Sequence, residues 1–222
     1  MTNTKNQKNT QIKSRARVKG LAEVFTAERE VNAMLDLVSE MFPSGTHDLH
    51  LIDKRFLEPA VGTGNFVVEI LRRKLQHVPC FGPGDVAWFQ AMVLKAVGSI
   101  YAVDIDTENV VETRARLLGL ALELTEAKAG SYAPGCADEL RGALTAVLTD
   151  NIVLGNTLTD MDHLLWASYD IKPGALGWTV QRRWSVAGSD TVAEEETRPQ
   201  HLQSLRPRED SERVVNQAPT NS

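Results

Sequence analysis

Five residues carry the chemistry this sequence can do. Glu58, Gly62 and Gly64 fall within seven residues of one another, and Asp104 and Asn156 each close a later apolar run. Glycines at 62 and 64 let a backbone turn tightly and come close to a ligand. An acid such as Asp104 can accept hydrogen bonds from both hydroxyls of a ribose. Glu58, directly before the glycine loop, repels a pyrophosphate and suits a cofactor that presents a positive amino group. A dinucleotide fingerprint needs a third glycine at position 67, where this chain has Val67. A P-loop needs Gly-Lys-Ser/Thr where this chain has Asn65-Phe66. The pattern therefore points to a nucleoside-bearing, cationic cofactor.

The elements that must position these residues follow from periodicity. Val31, Met34, Leu35, Val38 and Met41 recur at helical spacing and predict a helix over 27–41, with Thr26 as N-cap and Pro43 and Gly45 ending it. A short strand ends at Phe56-Leu57-Glu58. A helix from Asn65 follows, with Phe66, Val67, Ile70 and Leu71 as its buried stripe. Asp85 can cap a helix over 86–97, which Gly98 stops. Residues 99–103 read as a buried strand ending in Asp104. The next helix, 107–126, carries Val110, Val111, Ala115, Leu117, Leu118 and Leu122, and a further helix spans 137–149. A third strand, Ile152-Val153-Leu154, ends at Gly155-Asn156. Strands alternating with helices predict a doubly wound α/β sheet. Ligands in such sheets bind at the carboxyl ends of the strands, where the glycine loop, Asp104 and Asn156 all fall. Each has a plainer use: Glu58 can pair with Lys54 or Arg55, Asp104 can cap a helix (although Asp106 is better placed), and Asn156 can serve a turn.

An acid before the loop and another after the second strand fit S-adenosylmethionine better than NAD or ATP. The longer string Phe56-Leu57-Glu58-Pro59-Ala60-Val61-Gly62-Thr63-Gly64-Asn65-Phe66 resembles the cofactor loop of DNA adenine-N6 methyltransferases of restriction–modification systems. Ala22-Glu23-Val24-Phe25-Thr26, Tyr101-Ala102-Val103-Asp104-Ile105-Asp106 and Ile152-Val153-Leu154-Gly155-Asn156-Thr157-Leu158 resemble that family's N-terminal, second-strand and third-strand motifs, in order. The resemblance covers residues 14–186. It implies a Rossmann-like S-adenosylmethionine-dependent methyltransferase fold, incomplete at its C-terminal side. It implies cofactor binding by Phe25, Thr26, Glu58, Pro59, Ala60, Gly62, Gly64, Asp104, Ile105, Asn156 and Thr157. Asn156 stands where the family more usually has Asp, and its amide oxygen can still accept a bond from an adenine amino group.

The family's catalytic tetrapeptide, Asn/Asp/Ser-Pro-Pro-Tyr/Phe, holds a flipped-out adenine by its amine and stacks on its ring. This chain contains no Pro-Pro, so no catalytic residue is assigned. Tyr169-Asp170-Ile171-Lys172-Pro173-Gly174 reads as a loop. In Gly177-Trp178-Thr179-Val180-Gln181-Arg182-Arg183-Trp184 the basic and aromatic residues can contact nucleic acid, but the alternation reads first as an edge strand. Short methyltransferase-like modification subunits resemble this layout. The expected partners are DNA and a second chain that supplies catalytic and target-recognition elements. Open alternatives are a noncatalytic module that binds S-adenosylmethionine and DNA, a truncated remnant of such an enzyme, and a methyltransferase acting on RNA, protein or a small molecule.

The 222 residues suffice for one domain with a core, of which 42% are hydrophobic and 24% charged. Net charge is −5, unevenly spread. Residues 1–19 carry six basic groups and no acid, and 1–13 read as a disordered basic arm. Residues 187–222 carry seven acids against four arginines and read as a disordered polar tail, whose removal from 190 onward is expected to leave thermal stability unchanged. No apolar run spans a bilayer and no secretory leader is expected, so a cytoplasmic location with reduced Cys80 and Cys136 is the expectation. His47 and His50 have no accompanying ligand cluster, and no metal site is expected.

Overall fold

The computed structural model describes residues 26–175, 177–186, 192–195 and 199–207. The basic arm 1–13, Phe25 and the last residues of the polar tail lie outside them. The chain is mixed α/β, with five α-helices and a three-stranded parallel sheet among the described residues. Strands β1 (Phe56–Glu58), β2 (Ile100–Asp104) and β3 (Ile152–Leu154) lie in the order β1-β2-β3, with Phe56 opposite Ile100 and Ala102 opposite Ile152. Helix α1 (Glu28–Asp36) precedes β1. Helices α2 (Asn65–Leu75) and α3 (Val86–Gly98) connect β1 to β2, and α4 (Thr107–Ala129) and α5 (Cys136–Asn151) connect β2 to β3.

Both connections cross over between adjacent parallel strands, and such crossovers are right-handed in nearly all proteins, which lays α2–α5 on one face. The burial agrees. Ile100, Ala102 and Ile152 belong to the main core with Val67, Leu71, Phe89, Leu94, Leu117, Leu140 and Leu144 of the helices. Leu57, Tyr101, Val103 and Val153 point to the other face and stand outside that core. The segment after β3 covers part of this second face: the Trp166 ring sits 5.4 Å from that of Tyr101, and Leu164 packs against Gly155. Leu57, on the outer strand, is left 46% exposed.

The second sheet differs from expectation. Tyr169-Gly174 is not a loop but part of β4 (Leu165–Gly174), which pairs antiparallel with β5 (Gly177–Val186) along its whole length. Nor is Gly177–Trp184 an edge strand: β5 pairs on its other side with β6 (Val192–Glu195) and β7 (Gln200–His201). Alternation marks a strand but cannot distinguish an edge from a centre, because neighbouring strands leave no trace in a strand's own period. The ordered chain also runs past 186. Leu202 and Leu205 are 3% and 0% exposed and pack into the main core, so the boundary at 187 is corrected.

Buried polar groups tie the second sheet to the ends of α5 and α3. Arg182 donates to Asp150 at 2.8 Å, with the side chains 7% and 0% exposed, and to the Arg206 carbonyl at 2.8 Å. Tyr169 donates to the same Asp150 oxygen at 2.8 Å. Asn151 accepts from the Ala167 amide and donates to the Gly98 carbonyl. Arg182, read as a possible nucleic-acid contact, is thus turned inward and stacked on Trp184.

Several helix details are also corrected. Helix α1 stops at Asp36, its N-cap is Ala27 rather than Thr26, and Met34 and Val38 are exposed. Asp85 does not cap α3 by its side chain; it accepts from the Phe81 amide instead. Asp106 does cap α4, accepting from Glu108. On α4 the buried residues are Asn109, Val110, Thr113, Leu117, Leu120, Ala121, Thr125 and Ala129, while Val111 is 51% exposed and Ala115 is also exposed. No described helix is long and apolar enough to cross a membrane.

Candidate functional site

The glycine loop leaves β1 at Glu58 and enters α2 at Asn65. Gly62 and Gly64 both adopt left-handed backbone, φ +54 and +87. They differ in surroundings. A Cβ at Gly64 would lie 2.9 Å from Thr113, whereas a Cβ at Gly62 would meet nothing within 4 Å. Gly64 is therefore needed for packing, and Gly62 opens onto free space.

The three strand ends are joined directly. The Gly62 amide donates to Asp104 Oδ2 at 2.7 Å. The Gly155 amide donates to the Asp104 carbonyl at 2.9 Å, and the Val61 amide to the Val103 carbonyl at 3.0 Å. Thr157 Oγ1 reaches across to the Pro59 carbonyl at 2.7 Å, so the loops after the two outer strands meet over the end of the central one. Asp104 is 8% exposed; its Oδ1 also accepts from the Asp106 amide at 2.8 Å and from Asn109 at 3.3 Å. These bonds leave the carboxylate one of its roughly four acceptor positions.

Glu58 pairs with neither Lys54 nor Arg55. It accepts from the Ala60 amide at 3.2 Å, and burial raises its carboxyl above the usual range. Asn156 forms the turn: its Oδ1 accepts from the Leu158 amide at 3.0 Å and its own amide donates to Asp160. Ile105 and Leu158 stand 58% and 93% exposed, leaving apolar surface beside the loop. Thr26 is drawn in through its carbonyl, which accepts from Asn65 at 3.0 Å. The structure thus gathers Glu58 through Gly64, Asp104, Ile105, Asn156 and Thr157 at one edge, with Thr26 beyond the start of α2.

Sequence reading missed a supporting row on α4. Asn109, Thr113 and Arg116 occupy one helical face at spacings of four and three. Asn109 holds Asp104, and Thr113 donates to the Gly62 carbonyl at 3.0 Å. Arg116 donates to the Thr63 carbonyl and to Asn65. The Asn109 Oδ1 is buried and has no hydrogen-bond partner among the described residues. The signal available was three polar residues bracketing the core positions Val110 and Leu117, where an apolar stripe draws attention first.

Comparison with family models, with curated proteins and with solved structures finds no match to this chain.

Proposed function

We propose that the carboxyl edge of the parallel sheet binds S-adenosylmethionine, and that the chain is a DNA adenine-N6 methyltransferase or the modification subunit of one. The fold we infer is the Rossmann-like methyltransferase fold, with three of its parallel strands among the described residues. The reading rests on one observation above all. The three loops named by the sequence motifs are hydrogen-bonded to one another around Gly62, whose Cα faces open space.

The residues fit that cofactor. Glu58 has one hydrogen bond, from Ala60, and keeps an oxygen for an amino group. Asp104 keeps an acceptor position for a ribose hydroxyl. Asn156 keeps a lone pair for an adenine amine, and Ile105 and Leu158 offer apolar surface to a flat base. The cofactor supplies an activated methyl group; this chain's residues bind and orient it.

The second reading is a noncatalytic module that binds S-adenosylmethionine and DNA, or a truncated remnant of such an enzyme. It is favoured by the segment after β3, which closes on Asp160 (Asn156 and His163 amides each at 2.8 Å) and contains no Pro-Pro. Methylation restored by a partner chain carrying Pro-Pro-Tyr would favour the modification-subunit reading over this one.

Calorimetric titration with S-adenosylhomocysteine tests the shared claim. One-to-one binding is expected, and Asp104→Ala should weaken it by about 10- to 100-fold, the worth of a charge-assisted bond of roughly 1.5–3 kcal/mol. No binding at millimolar ligand from a folded sample overturns the proposal. Unchanged affinity in a folded Asp104→Ala removes Asp104 from the site.

A further inference from the structure

The opposite, amino-terminal edge of the parallel sheet holds a cavity of about 470 Å³. One wall is the segment leading into β1, with Asp53, Lys54 and Arg55. A second is the end of α3, with Lys95 and Gly98, and a third is the β4 stretch from Ser168 to Ile171. The Tyr169 ring lies over Gly98, where an added Cβ would come within 3.0 Å of it. Strand β2 is five residues long, so the cavity lies about 13 Å from Asp104 at the far end of the sheet.

The polar lining sorts by whether its groups are already engaged. The hydroxyls turn into the protein: Ser99 donates to the Ala96 carbonyl, Tyr101 to Ala167 and Tyr169 to Asp150. Asp170 is neutralised by Lys172 at 2.5 Å. Lys54, Arg55 and Lys95 make no ion pair with any described residue. Three unengaged cations face one remaining carboxylate, Asp53. A cavity so lined takes an anion, and its volume is that of a small-molecule site rather than of a bare ion.

We propose that this cavity binds a phosphate-bearing ligand of nucleotide size, with the phosphate among Lys54, Arg55 and Lys95 and the organic part against Tyr169. The site is independent of the carboxyl edge and of the reading given to it. The phosphate belongs either to a free nucleotide or to a nucleic-acid strand. Titration of the full chain with AMP, and separately with a short DNA duplex, distinguishes the two. Saturable AMP binding that Arg55→Gln/Lys95→Gln weakens about tenfold or more, while S-adenosylhomocysteine binding is unchanged, supports a free nucleotide. The same loss seen for the duplex, with AMP competing for it, supports a strand phosphate. Lys54→Gln, at an exposed position, repeats the test if the double variant does not fold. The proposal is overturned if neither probe binds at millimolar concentration, or if binding is indifferent to all three substitutions.

Discussion

Gly62 and Gly64 look interchangeable in sequence and are not so in space. Both sit in left-handed backbone, which costs a residue with a Cβ roughly 1–2 kcal/mol. Gly64→Ala adds a clash with Thr113, a buried side chain that donates to Gly62 and cannot withdraw freely. Gly62→Ala adds none inside the protein but places a methyl group in the space assigned to cofactor. Opposite signatures are expected. Gly64→Ala should lower the melting temperature markedly. Gly62→Ala should lower it only slightly while sharply weakening S-adenosylhomocysteine binding. Equal melting temperatures for the two variants would show that Thr113 yields. The same contrast marks how far residues can be read: the glycines' types pointed to a loop, but the neighbour of each depended on α4.

At the scale of elements, period and end signals placed β1, β2 and β3 and located α2, α3 and α5 to within a few residues, because each buries an apolar stripe of its own. They failed where burial comes from distant chain. Strand β5 became central only because β6 and β7 return to it, and Leu202 and Leu205 look like isolated leucines in a polar stretch. Burying each contributes about 1.5–3 kcal/mol, and Arg206 also supplies a carbonyl to Arg182. Ending the chain after residue 207 should therefore leave the melting temperature nearly unchanged. Ending it after 198 should lower it by several degrees, contrary to what composition alone suggests. Thermal unfolding of the two truncations decides the matter, and identical transitions would return 199–207 to the tail.

The whole molecule reports one buried charge through its pH dependence. Lys74 is 0% exposed on the inner face of α2 and donates to the Ile52 and Lys54 carbonyls at 2.9 and 2.6 Å, pinning the approach to β1. Burial lowers its ammonium from 10.5 to about 7, with Asp53 opposing. The unfolded chain therefore holds this proton up to its ordinary pKa, while the folded chain releases it above about 7. Between those values the unfolded state binds more protons, so stability rises with pH, by at most about 1.4 kcal/mol per unit from this group. Urea unfolding between pH 7 and 9 should show that rise. Lys74→Met should be less stable for lack of the two carbonyl bonds and should have a flatter slope; an equal slope would exclude Lys74 as its source. By itself the sequence determined the alternating α/β order and the residues at the three strand ends, because short-range periodicity and loop chemistry are written in consecutive residues. Only the tertiary structure decided that Asp104 holds the glycine loop, that α4 lines it, that Arg182 turns inward and that cations gather at the opposite edge. Those are contacts between residues tens of positions apart, and the chain's local pattern does not encode who meets whom.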